Sequence, residues 1–453
     1  MTTAAPWVTW YGDDFTGSAA VMEVLAFAGV PSVLFTSVPS PALSTRFAGC
    51  RGVGIASTAR SQGPDTMREH MPEPLRFLDR LGAPILHYKI CSTFDSSPQV
   101  GSIGAAIEIG LGVRAARAVP LLTAAPQMRR YQAFGHLFAG DFDGVHRLDR
   151  HPVMSRHPVT PMTESDLLRH LSAQTALPSA LIDLEALRSD PQQRLETALA
   201  DGARILSLDS MDAGSETAAG RLIWENRDRL GLVAGSQGIE YALVRHWVST
   251  GMIGAPSPAG SAGPVDRIAA ISGSVSPMTA TQLDWAGAHG FALLPFDASA
   301  VCGPDGALAR EENRAVAAAI AAAEGGQSPL IHSAAGPDDP AVAVFREALA
   351  ASDLSSEEAN RRIGEALGRI LDRVLRETGL RRAVISGGDT SGHAFRQLGL
   401  EALVALAPTI PGAALCTAYG DGPHDGLQIA LKGGQMGSED FFGWIRAGGG
   451  ARD

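Results

Sequence analysis

Cysteine is scarce in this chain: Cys50, Cys91, Cys302 and Cys416 are scattered over 453 residues, with no CxxC pair among them. That spacing excludes a disulfide framework or a zinc ribbon and suits the reduced thiols of a cytoplasmic protein. Long apolar runs are missing too; none approaches the ~20 residues that a membrane span needs. The opening MTTAAPWVTWYGDD has neither a charged n-region nor an apolar h-region, so no signal peptide is expected and the cytoplasm is the expected location. Positive charge is in short supply, with 37 Lys and Arg against 48 Asp and Glu and a net charge of −11. This balance argues against nucleic acid or an anionic membrane as partner, while leaving room for a local basic pocket around a small anion. The Gly-x-x-x-x-Gly-Lys-Ser/Thr pattern of a Walker loop is absent. A complete Gly-x-Gly-x-x-Gly is absent as well: Gly52-x-Gly54 gains no third glycine and leads into no helix, which turns away from a dinucleotide-dependent dehydrogenase.

What the chain does have is glycine and proline, 51 and 28 residues, in a composition that is 45% hydrophobic. The length predicts two domains, and the repeated order of strand, tight turn and helix predicts an α/β fold, each domain a mostly parallel sheet flanked by helices. The Gly-, Pro- and Ser-rich segment 249–266 reads as the linker between an N-terminal domain, 1–248, and a C-terminal domain, 267–453. Residues 136–157, with four histidines and two His-Pro steps, read as loop without a metal-ligating pattern. The Ala-rich segment 313–325 reads as a surface insertion, and Ser355 with Glu358 as a capping box that opens a long amphipathic helix.

In a parallel sheet, ligands bind beyond the carboxyl ends of the strands. Asp13 and Asp14 follow the first predicted strand and precede its helix. Arg60 follows the third, and Lys89, Ile90, Cys91 and Ser92 close the fourth. Basic groups there suit an anionic acceptor, and an aspartate suits a hydroxyl proton or Mg²⁺. Lys89 reads equally as a surface lysine, and Cys91 as packing, since no Cys–His pairing is legible. In the second domain three Gly- or Ser-rich turns fall at strand ends: Ser274; Gly387, Gly388, Asp389 and Thr390; and Gly433 with Gly434. Bare amides leading into a helix N-terminus suit phosphate, although an ordinary strand-to-helix turn has the same local look. Together, a phosphate cradle in one domain and an anion grip in the other suit a kinase working in an interdomain cleft.

The motifs Gly12-Asp13-Asp14-Phe15-Thr16-Gly17, Lys89 to Thr93, Ser272-Gly273-Ser274, Ser386 to Gly392, and Leu431-Lys432-Gly433-Gly434 with Asp440-Phe441-Phe442 resemble those of the four-carbon acid sugar kinase family across essentially the whole chain. The resemblance implies an N-terminal acid-sugar domain, a C-terminal nucleotide domain, and use of ATP with Mg²⁺ to phosphorylate threonate, erythronate, 3-oxo-tetronates or related branched acids. Matched residue by residue, it implies substrate contacts at Asp14, Arg60 and Lys89 to Ser92, and ATP contacts at Ser274, Gly387 to Thr390 and Gly434. Many members carry Lys-Thr-Asp-Ser-Thr where this chain has Lys89-Ile90-Cys91-Ser92-Thr93. The variant block resembles that of members acting on 3-oxo-isoapionate or sitting beside RuBisCO-like proteins. The competing reading is a non-catalytic protein that binds nucleotide or acid sugar. A homodimer is compatible with the chain, whose sequence fixes neither the oligomeric state nor the aspartate that holds Mg²⁺.

Overall fold

The structure, a computed structural model, describes residues 5–452 except 142, 158 and 258; at 388–390 it describes the backbone and not the side chains. The chain divides into two compact units, Met1–Ser257 and Pro258–Asp453.

In the first unit the strands are β1 (Val8–Gly12), β2 (Ser32–Phe35), β3 (Gly52–Ala56), β4 (Ile85–Lys89), β5 (Val119–Leu122), β6 (Arg130–Ala133), β7 (His136–Gly140), β8 (Val145–Arg147), β9 (Ser179–Ile182), β10 (Ile205–Leu208) and β11 (Leu232–Gly235). All but β6–β8 form one parallel sheet in the order β2-β3-β1-β4-β11-β5-β10-β9. Strands β1 to β5, β10 and β11 are buried along their whole length, as expected for a sheet covered by helices on both faces. The helix after β1 runs Phe15–Phe27, starting earlier than its apolar stripe suggests because Asp14 caps it. The histidine-bearing stretch expected as loop instead contains β7 and β8, which with β6 just before it form a small antiparallel sheet. Its strands are short and interrupted by turns, which hides the alternation that would announce them.

In the second unit β12 (Ala269–Ser272), β13 (Phe291–Pro295), β14 (Ser328–His332), β15 (Arg382–Ser386), β16 (Ala402–Ala407), β17 (Leu415–Tyr419) and β18 (Leu427–Lys432) lie in the order β13-β14-β12-β15-β18-β17-β16. The first five in that order run parallel; β17 and β16 are antiparallel to their neighbours. Helices 277–288 and 441–446 cover one face, where Leu283, Ala286, Phe441 and Phe442 pack with Ala270, Leu330, Val384 and Ala430 from the strands.

The Ala-rich segment is no insertion. It belongs to the helix Ala307–Glu324, which buries Ala315, Val316, Ala319 and Ala323. Alanines at i, i+4 and i+8 make a flat stripe that packs closely, a pattern easily mistaken for low complexity. The helix Ser356–Thr378 begins at Ser355, whose side chain accepts from Glu358 N, but the Glu358 carboxylate turns to Arg361 and Arg362, leaving half a capping box. Within the segment read as linker, Ser249 still belongs to the helix Gly238–Ser249, and Ala262 and Val265 hydrogen-bond to Gly448 and Arg446.

Candidate active site

In the first unit the loops after β1, β3 and β4 meet because these strands are neighbours in register, Gly12 facing both Ala56 and Lys89. Backbone bonds tie the three ends together: Asp13 N donates to Lys89 O (2.9 Å), Ser57 N to Gly12 O (3.0 Å) and Arg60 N to Asp13 O (2.9 Å). Around this frame the side chains organise on Arg60. Its Nε and Nη2 donate to Asp13 Oδ2 (3.1 Å) and Oδ1 (2.7 Å), and Nη2 also donates to Asp14 Oδ1 (2.7 Å). Asp14 Oδ1 accepts in addition from Gly17 N at 3.0 Å, the N-cap bond of its helix. One guanidinium thus orients two carboxylates nearly fifty residues away in sequence.

Asp13 and Asp14 play different parts. Asp13 is 2% exposed and turns both oxygens to Arg60, as the buried counter-ion of that guanidinium. Burial pushes the Asp13 carboxyl up, against the pull of Arg60, and the Asp14 charge adds to the rise. Burial pulls Arg60 down, but Asp13, Cys91 and Asp14 outweigh it and hold the guanidinium well above its ordinary value. The Asp14 side chain keeps 27% of its surface and Arg60 24%, so both can meet a ligand.

Lys89, at the end of β4, is buried, and its Nζ donates to Ile90 O at 2.5 Å. A Cβ added at Gly17 would lie 2.4 Å from Asp14 Oδ1 and 2.7 Å from Lys89 Nζ, so only a bare glycine leaves room for both groups. Ile90 is fully buried, with its N–H bonded to Gly235 O and its carbonyl to Lys89 Nζ. Cys91 and Ser92 are partly exposed, and Cys91 Sγ lies 3.0 Å from Thr93 Oγ1. Behind this block sits a buried pair absent from the sequence reading. His87 Nδ1 is 2.7 Å from Glu240 Oε1, and His87 Nε2 donates to Gly235 O at 3.0 Å. Gly235 O also accepts from Ile90 N at 2.8 Å. A further unforeseen group is Arg130 on β6, a cation that shares the electrostatic surroundings of Cys91 with Arg60 and is pulled down by burial. Its position follows from the small sheet, so no local signal marked it.

In the second unit the three turns follow neighbouring strands, β12, β15 and β18. Gly387 N donates to Lys432 O (2.9 Å) and Gly273 N to Ser386 O (3.0 Å). Gly387 adopts φ 129°, a conformation open to glycine and little else. Ser274 Oγ takes a hydrogen bond from Thr279 Oγ1 (2.9 Å), and Gly434 O accepts from Ser276 Oγ (2.6 Å). A Cβ at Gly434 would fall 2.2 Å from Ser274 Oγ, so Ser274 and Gly434 adjoin and the turn admits no side chain there. Gly433 N–H lies on the same turn, whose Met436 N bonds back to Gly433 O at 3.2 Å. Gly388, Asp389 and Thr390 open the helix Gly388–Gln397; their side chains lie outside those described. The geometry is a ridge of turn backbone and hydroxyls at the carboxyl edge, suited to an anionic ligand.

Family models match both units: a sugar-binding N-terminal domain over residues 8–243 and a nucleotide-binding C-terminal domain over 269–442. The chain belongs to the four-carbon acid sugar kinase family. Among its relatives is a 3-oxo-isoapionate kinase from Paraburkholderia graminis, 46% identical over 456 residues that span 99% of this chain and 96% of the relative. A 3-oxo-tetronate kinase from Pectobacterium atrosepticum is 28% identical, covering 95% of this chain and 96% of its own. One from Salmonella typhimurium is 29% identical, covering 96% and 97%. Among solved structures, a Salmonella typhimurium LT2 protein provisionally called a tRNA synthase superposes with a TM-score of 0.78 at 26% identity, over 97% of this chain and 98% of that one. A Haemophilus influenzae protein of the DUF1537 family model shares the fold, with a TM-score of 0.73 at 22% identity over 97% and 99% of the two chains. The two motif sets fall in separate units of the chain, each matched by one of the two family models. No helix among the described residues is long and apolar enough to cross a membrane.

Proposed function

We propose that the chain is an ATP-dependent kinase that phosphorylates a hydroxyl of a small sugar acid, and that its acceptor is a branched 3-oxo-acid of the 3-oxo-isoapionate type. The observation that carries this reading is the likeness to the Paraburkholderia kinase along nearly the full length of both chains. The alternative, a binding protein without catalysis, has no comparable support, because the curated relatives named above are enzymes.

In this reading Arg60 and Lys89 provide positive charge for the acid, Ser92 and the Cys91–Thr93 pair shape the acceptor pocket, and Asp14 receives the proton of the attacked hydroxyl. Asp13 acts through Arg60, whose orientation it fixes. Phosphoryl transfer through a loose transition state asks for positioning and charge neutralisation more than for a strong base, which suits a carboxylate already held by an arginine and a backbone N–H. Cys91, in place of a common aspartate, removes a charge from the pocket wall and leaves room for a different acceptor.

Gly387 to Thr390, Ser274, Gly433 and Gly434 would hold the phosphates of ATP, which supplies the phosphoryl group. The closeness of Gly434 to Ser274 and the unpartnered hydroxyls at neighbouring strand ends fit such a ligand. Mg²⁺ is proposed as the counter-ion of the nucleotide. It needs few protein ligands, and no group of three metal-binding side chains occurs among the described residues. All four cysteines are free, in keeping with the proposed cytoplasmic setting.

The test is ADP release coupled to a spectrophotometric readout, with threonate, erythronate, 3-oxo-tetronates and 3-oxo-isoapionate as acceptors. Turnover is expected, with kcat/KM highest for the branched 3-oxo acid. Nucleotide bound without turnover on any acceptor would instead favour the binding-protein reading.

A further inference from the structure

The last residues of four adjacent strands in the second unit form one row. His332 ends β14, Ser272 ends β12, Ser386 ends β15 and Lys432 ends β18, and each is in register with the next. Two residues earlier in each strand stand Leu330, Ala270, Val384 and Ala430, which pack under the helices 277–288 and 441–446. Side chains alternate along a strand, so the row points to that same covered face, one step beneath the glycine turns. A row at this depth is expected to be apolar or fully hydrogen-bonded. Here Ser272 Oγ, Ser386 Oγ and His332 Nδ1 are buried with no hydrogen-bond partner among the described residues.

Lys432 is the most exceptional member. It is 1% exposed, yet among the described residues its Nζ meets only Gly433 O, at 3.2 Å, and the ring of Phe441, at 5.9 Å. No carboxylate pairs with it among the described residues. An ammonium carries three donors, and burying one with a single carbonyl costs free energy that a folded protein keeps only where an anion arrives. Burial accordingly draws Lys432 down to about 8.

We infer that Lys432 is a phosphate ligand of the nucleotide unit, its ammonium meeting the polyphosphate of the nucleotide beside the Gly433–Gly434 turn, with the Ser386 and Ser272 hydroxyls as further donors from the same row. The inference rests on the reading of this unit as the ATP site and assigns its missing cation. With no Walker lysine in the chain, Lys432 takes over charge neutralisation from a strand end instead of a helix start. It approaches phosphate as a point charge, which leaves the glycine amides to fix direction.

Calorimetry with ADP and with adenosine separates this role from a structural one. Wild-type protein binds both. Lys432→Met, which fills the same space without charge, loses about tenfold to a hundredfold in ADP affinity, the range for one charge-assisted hydrogen bond, and binds adenosine unchanged. The variant also melts at a higher temperature than wild type in the absence of nucleotide, because an uncompensated buried charge has been removed. Lys432→Gln weakens ADP binding in the same way. Equal loss for ADP and adenosine, unchanged ADP affinity, or failure of both variants to fold would each overturn the assignment. Absence of ADP binding by the wild-type protein would instead sink the ATP-site reading on which it rests.

Discussion

Replacing Gly17 by alanine tests the first-unit geometry with a single methyl group. Gly17 is the third residue of the helix Phe15–Phe27, and its N–H makes the N-cap bond to Asp14. The added Cβ would lie 2.4 Å from Asp14 Oδ1 and 2.7 Å from Lys89 Nζ, where ordinary contacts are about 3.5 Å. Both groups must therefore retreat by roughly 1 Å. Two terms then oppose each other in stability. Alanine favours the helix over glycine by about 1 kcal/mol, and the disturbed N-cap costs about 1 kcal/mol. The melting temperature should consequently move by no more than a few degrees. Activity has no such compensation: a displacement of this size in groups that position an acceptor costs about 100-fold. The assay is the coupled ADP-release measurement of kcat/KM for the acid, run beside a thermal melt and ADP calorimetry. The expected result is a well-folded protein with normal ADP affinity and a kcat/KM about 100-fold lower. A folded Gly17→Ala protein with wild-type kcat/KM would refute the reasoning and remove Asp14 and Lys89 from the chemistry.

Gly434→Val places side-chain atoms where Ser274 Oγ stands, 2.2 Å from the new Cβ, so ADP affinity should fall at least tenfold while binding of the acid persists; competition binding with both ligands checks this. Arg60→Met strands the buried Asp13 carboxylate and should destabilise by about 3 kcal/mol, and the double change with Asp13→Asn should recover most of it in urea melts. Lys432 gives a pH signature: its folded value is about 8 against 10.5 when unfolded, so between those values the unfolded chain binds the extra proton and stability rises with pH. The rise is on the order of 3 kcal/mol, and it should vanish in Lys432→Met when urea midpoints are followed from pH 7.5 to 10.5.

The parts of this molecule that could be read from its sequence are those whose chemistry is local. A strand, two glycines and a helix start announce themselves at Arg382 to Ser391, although the cap is Gly387 without a side-chain bond, and Asp13-Asp14 before Phe15–Phe27 does the same. The relations across the sheet could not be read that way. Arg60 bridges Asp13 and Asp14 because β3 lies beside β1, and Lys432 joins Ser386, Ser272 and His332 because β18, β15, β12 and β14 are neighbours. Neither adjacency has a sequence marker. The strands β6–β8, and Arg130 with them, were hidden by brevity; the helix Ala307–Glu324 was hidden by the plainness of alanine. Asp13 and Asp14 look equivalent in a row of letters, and only burial distinguishes the counter-ion from the exposed carboxylate.

The place of β4 in the first sheet also bears on how the protein comes to exist. The strand carrying Lys89 lies between β1, which precedes it, and β11, which is made about 140 residues later. During synthesis β4 therefore waits with one edge unpaired, its His87 without Glu240 and its Ile90 amide without Gly235, until the chain has passed the helix Gly238–Ser249. Closing so long a loop is slow, and an open apolar edge is the kind of surface that recruits other chains. Truncations ending between β5 and β11 should accordingly aggregate rather than bind acid, and the acceptor pocket becomes competent late, when the middle of the sheet is completed by one of its last strands.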